Sequence, residues 1–162
     1  MGVNPPGAPV PAVLTEISTN EWRWAFPDDA AMAFHDLQLP HDYAEGTDIV
    51  PHIHFIPTVT GVYSGAWTMV FTGHLSAATG EPKEAQLTTT ATLTGLSLTA
   101  GQMQSIDFAA NIPGAGRKIS SMATALLSLN LTAAPGSGKL ALAGFDGHYQ
   151  VDSLGSRQIL VK

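Results

Sequence analysis

Apolar and polar residues alternate with a period of two through much of this chain, the period of a half-buried strand and not of a helix. In Glu21-Trp22-Arg23-Trp24-Ala25-Phe26 the three aromatic residues fall on one face. In His52-Ile53-His54-Phe55-Ile56 both imidazoles project to one side, and Ile53 and Phe55 to the other. Trp67, Met69 and Phe71 share a face, with Thr68 and Val70 opposite. Leu127 to Thr132 and Lys139 to Phe145 alternate in the same way. The Thr-rich run Leu87 to Leu98 loses its phase between Leu93 and Leu96, and Gly95 marks a bulge there. Turn residues separate these runs at Pro27-Asp28-Asp29, Thr58 to Gly61, Thr79-Gly80-Glu81-Pro82, Asn111 to Gly116 and Pro135-Gly136-Ser137-Gly138. Two short helical pieces are expected, Ala30 to Phe34 and Ser120 to Leu127, because Met122, Ala123 and Leu126 would share a helical face. Segments 49–57 and 62–74 read as a β-hairpin.

The sum of these elements predicts an all-β chain, a jelly-roll-like β-sandwich. An immunoglobulin-like sandwich is less well matched, since the chain has no cysteine for an inter-sheet disulfide. Residues 14–162 form one predicted sandwich domain, preceded by an extended Pro-rich N-terminal arm over 1–13. Pro5, Pro6, Pro9 and Pro11 remove backbone donors from that arm and leave neither helix nor central strand open to it. It would be either a tail or a strap along a neighbouring subunit.

Composition narrows the function classes. Hydrophobic residues make up 44% of the chain, so disorder is not expected. Charged residues make up 12%, about half the usual share, which suits a surface covered by neighbouring subunits. The net charge of −6 and the scattered basic residues argue against direct nucleic-acid binding. No apolar run reaches membrane-spanning length, and nothing resembles a signal peptide, so a soluble chain made in the cytoplasm is expected.

The richest chemistry lies in Leu39 to His54, which holds His41, His52 and His54 together with Asp42, Glu45 and Asp48. A His-x-His pair on a strand can share one divalent ion, but two ligands are too few. A mononuclear site could recruit His41, Asp48, His74 or His148. A cupin would begin with Gly46-x5-His52-x-His54, but needs a Glu where Thr58 and Val59 stand. Three copies could instead bring their pairs to a trimer axis. Finally, the histidines could simply pack against Tyr43, Trp67 or Tyr149 as structural polar residues. Other catalytic patterns are not met: there is no Gly-x-Ser-x-Gly elbow, Gly114-Ala115-Gly116-Arg117 lacks phosphate-loop spacing, and Asp28-Asp29 with Asp42/Glu45/Asp48 suit turns better than a glycosidic bond. The chain is therefore not expected to be an enzyme.

Two blocks, Leu39 to Phe55 (LPHDYAEGTDIVPHIHF) and Gly144 to Gln158 (GFDGHYQVDSLGSRQ), resemble segments of structural virion proteins of tailed bacteriophages. The resemblance implies a virion location, synthesis in the host cytoplasm, and partners that are copies of the chain, the major capsid protein or other virion proteins. A capsid decoration (cement) protein, acting as a homotrimer, fits the short, heptad-free chain and its proline arm best. The alternatives are a tail-fibre or receptor/carbohydrate-binding module, with Trp22, Trp24, Tyr63 or Trp67 as stacking platforms, and a metal-dependent cupin-like enzyme. His41, Asp48, His52, His54, His148, Tyr149 and Asp152 are the expected structural polar cluster. No cofactor is expected beyond a structural divalent metal at His52 and His54.

Overall fold

A computed structural model describes residues 12–26, 29–73, 85–118 and 121–152, with side chains throughout except at 29–37. Among the described residues nine strands are formed: β1 (Val13–Ser18), β2 (Glu21–Phe26), β3 (Asp29–Gln38), β4 (Val50–Pro57), β5 (Gly61–Gly73), β6 (Leu87–Leu98), β7 (Gln104–Asp107), β8 (Met122–Ala133) and β9 (Leu140–His148). The described residues include no helix. The strands make two antiparallel sheets, ordered β1-β2-β9-β4-β7 and β3-β8-β5-β6.

The pairing follows one rule. β5 pairs with β6, β4 with β7, β3 with β8 and β2 with β9, as in one long antiparallel ribbon whose tip is the β5–β6 connection. Wrapping that ribbon around itself brings β4 beside β9 and β5 beside β8. This is the jelly-roll arrangement of an all-β sandwich. β1 adds an edge strand beside β2.

The wrap corrects three expectations. Segments 49–57 and 62–74 are consecutive strands in different sheets, and Thr58 to Thr60 carry the chain from one sheet to the other. They do not form a hairpin. The expected helical turn at Ala30 to Phe34 lies inside β3, and the expected helix at Ser120 to Leu127 is largely β8. Both segments pair with each other over Asp29–Gln38 and Met122–Asn130. Ladder pairing on both sides of β8 outweighs a helical face that a few apolar residues could make. The bulge does fall at Gly95: one residue separates Tyr63 from Gly65 on β5, while two separate their partners Leu96 and Leu93 on β6. Gly95 adopts φ 58°, a left-handed value that favours glycine. The expected arm lies outside the described residues up to position 11, and its last residue, Val13, opens β1.

Alternation fills the space between the sheets. Phe26, Ile53, Phe55 and Phe145 come from one sheet, Trp67, Met69, Leu93, Leu127 and Leu129 from the other, and all are buried. Phe26 meets the fully buried Trp67 edge-on, with ring centroids 4.7 Å apart. Such a pair adds about 1 kcal/mol to its area burial. At one end of the sandwich two loops lock together. Ile49 and Ile112 exchange backbone hydrogen bonds, and the Gly114 N–H donates to Asp48 Oδ1 at 2.9 Å.

Candidate functional site

The histidines belong to the outer face of the five-stranded sheet. Ile53 and Phe55 fill the interior, so the alternation of β4 turns His52, His54 and Ile56 outward. Whether anything joins them depends on the phase of β9. Here β9 carries an extra residue, Ala143, between Leu142, opposite Phe55, and Gly144, opposite His54. This bulge shifts the strand by one position, so Phe145 enters the core and Asp146 stands outward opposite His52. On the other side β7 places Asp107 opposite His52 and Ser105 opposite His54.

Three side-chain atoms converge. His52 Nε2 lies 2.5 Å from Asp146 Oδ1 and 2.9 Å from His54 Nε2, and the third side, His54 Nε2 to Asp146 Oδ1, is 3.6 Å. The His148 ring stacks on that of His52 at 4.4 Å and 16°, holding its plane. His52 is 6% exposed, whereas the Asp146 side chain is 60% exposed. The cluster therefore has a buried base and an open rim. Proton accounting marks it as unusual. An imidazole Nε2 carries one hydrogen at most, and the one on His52 cannot serve both Asp146 and His54. His52 Nδ1 is buried and has no hydrogen-bond partner among the described residues.

The remaining members of the expected cluster are placed elsewhere. His41 is exposed. Asp48 binds the Gly114 N–H, and it lines a shallow depression together with His148 and Tyr149. The Tyr149 hydroxyl donates to Asp42 Oδ1 at 3.2 Å, and its ring meets Tyr43 edge-on. Burial, and then the Asp42 carboxylate beside it, push the Tyr149 phenol above its ordinary pKa. The Asp152 N–H donates to the Asp42 carbonyl. Structure thus brings together His52, His54 and His148, and adds Asp146. His74, the other candidate ligand, lies outside the described residues.

The site is not a cupin pocket. Cupin chemistry needs ligands pointing into the barrel, and here Ile53, Phe55 and Trp67 occupy the interior. The aromatic candidates also divide. Tyr63 and Trp67 are buried core, while Trp22 and Trp24 are 55% and 51% exposed. They share the inward-facing side of β2 with Phe26, but only Trp24 to Phe26 are flanked by β9. The outer part of the β1–β2 hairpin projects past the sandwich, and Leu14, opposite Trp24, is exposed with them.

No family model matches the chain, and no curated protein matches it. Among solved structures it is similar to the structure of infectious bursal disease virus Gx strain, at 15% identity and a TM-score of 0.28, over 83% of this chain and 36% of that one.

Proposed function

We propose that this chain is a structural virion protein, a capsid decoration protein that works as a homotrimer through contacts with sister subunits and the shell. The observation that carries the reading is the exposed apolar strip of Leu14, Trp22 and Trp24 on the edge hairpin β1–β2. An edge hairpin with large exposed apolar side chains is a template for association, and tryptophan is among the residue types enriched at the energetic centres of interfaces. The low charge content supports the same reading, as does the resemblance of the Leu39 to Phe55 and Gly144 to Gln158 blocks to tailed-phage virion proteins. The action would be mechanical, with residues 1–13 as a strap on the particle and no reaction catalysed.

Replacing Trp22 and Trp24 together by Ser tests it. The variant should keep the β-sheet circular dichroism of the wild type, sediment as a smaller species and decorate particles poorly. Wild-type sedimentation and occupancy would sink the proposal. The exposed tryptophan pair favours one second reading, a carbohydrate-binding module with the indoles as stacking platforms. Glycan-array binding lost in the single Trp24→Ser variant, with sedimentation unchanged, would favour that module.

A further inference from the structure

We infer that His52, His54 and Asp146 of one chain form a mononuclear site for a divalent transition ion such as zinc. This goes beyond the assembly role, and beyond a pooled site at a symmetry axis, because one protomer supplies three ligands by itself.

The three donor atoms are 2.5, 2.9 and 3.6 Å apart, a triangle whose circumscribed circle has a radius of about 1.8 Å. Zinc binds histidine nitrogen and carboxylate oxygen at about 2.0–2.2 Å. A point at about 2.1 Å from all three atoms therefore exists, about 1 Å above their plane. Tetrahedral coordination at that distance sets donors about 3.4 Å apart, so the two shorter sides of the triangle open by less than about 1 Å on binding.

Chemistry agrees. Two imidazole nitrogens and a carboxylate oxygen suit zinc and its neighbours better than the all-oxygen preference of calcium or magnesium. A cation also resolves the proton conflict, since all three atoms can then present lone pairs to one centre. Asp107, outward on β7 opposite His52, adds negative charge beside the site. His148, stacked on His52, is a positioning residue that fixes the ring plane.

Placement suggests what the ion does. His52 and His54 lie on β4 and Asp146 on β9. These strands become neighbours only when the ribbon wraps, so the ion would cross-link the wrapped state and stabilise it by mass action. The open rim leaves a fourth coordination position for water or for a group from outside the chain.

The test uses tag-free full-length protein stripped with a chelator and titrated with zinc chloride, read by calorimetry, elemental analysis and thermal melting. One zinc per chain and a rise in Tm are expected. Asp146→Asn and His54→Ala should each weaken binding at least about tenfold, whereas exposed His41→Ala should not. Cobalt(II) substitution should give visible absorption that Asp146→Asn abolishes. One ion per three chains, no binding, or undiminished binding by Asp146→Asn would each overturn the assignment. Sedimentation of the same variants keeps the two ideas separate, since metal loss with an unchanged oligomer leaves the assembly reading standing.

Discussion

Asp146 on β9 stands directly opposite His52 on β4, with its Oδ1 2.5 Å from the imidazole Nε2. Their meeting depends on a single inserted residue. Leu142 and Phe145 both face the core although three positions separate them, and Ala143 absorbs the difference.

Deleting Ala143 should therefore do more than shorten β9. It would put Phe145 and Asp146 out of phase, exposing the phenyl ring or turning the carboxylate into an apolar core. Loss of a buried Phe alone costs about 3–5 kcal/mol, so urea unfolding should show at least that loss. Replacing Ala143 by Ser keeps the count and should leave stability within about 1 kcal/mol.

Trp67 and Trp24 should respond very differently to truncation. Trp67→Ala empties the centre of the core and should cost about 3–5 kcal/mol. Trp24→Ala, at an exposed position, should cost under about 1 kcal/mol in the isolated subunit. Trp67→Phe should be milder than its volume change suggests. The indole Nε1 is buried with no partner among the described residues, and phenylalanine removes that unsatisfied donor. Denaturant melts of the three variants check the ranking.

Gly114 is a position of close approach. A Cβ there would lie 1.9 Å from the Thr47 carbonyl oxygen, which is backbone and cannot yield cheaply. Gly114→Ala should loosen the pair of loops tied by Asp48 and the Ile49–Ile112 bridge, at a cost of about 2 kcal/mol or more. Hydrogen exchange should rise at the amides of Ile49 and Ile112. Unchanged protection there would contradict the proposed interlock.

Alkaline stability follows from two tyrosines. Burial raises the Tyr63 phenol above its ordinary 10.0, and Tyr149 is raised by burial and then by Asp42. For a group raised in the folded state, the stability it contributes is complete below the unfolded value and is lost as pH climbs through the folded one. The protein should accordingly weaken from about pH 10 upward. The Tyr63→Phe and Tyr149→Phe variants should each show a shallower decline over that range than the wild type. Parallel declines in all three proteins would refute this origin.

Much of the fold is legible in the amino-acid sequence because it is local. Period-two alternation in Glu21 to Phe26, Val50 to Pro57 and Lys139 to Phe145 requires strands, the turn residues mark their ends, and Gly95 marks its bulge. That His52 and His54 share one face of their strand follows from the same alternation. The helix expected at Ser120 to Leu127 shows where locality fails. That segment has apolar residues at both helical and strand spacings, and its neighbours β3 and β5 settle the choice by supplying a ladder on each side.

Which strand lies beside which was decided only by the tertiary structure, since hydrogen-bond pairing between distant segments leaves no periodic trace. So β4 and β5 part into separate sheets, and β4 meets β9 across about ninety residues of chain. The candidate site has the same history. Asp-x-His at 146 and 148 is visible in the chain, but alternation counted from Leu142 would put Asp146 on the core side. The bulge at Ala143 reverses that count. The sequence by itself determined two histidines on one face of a strand. Only the wrapped ribbon, with one residue too many on its closing strand, set a carboxylate between them.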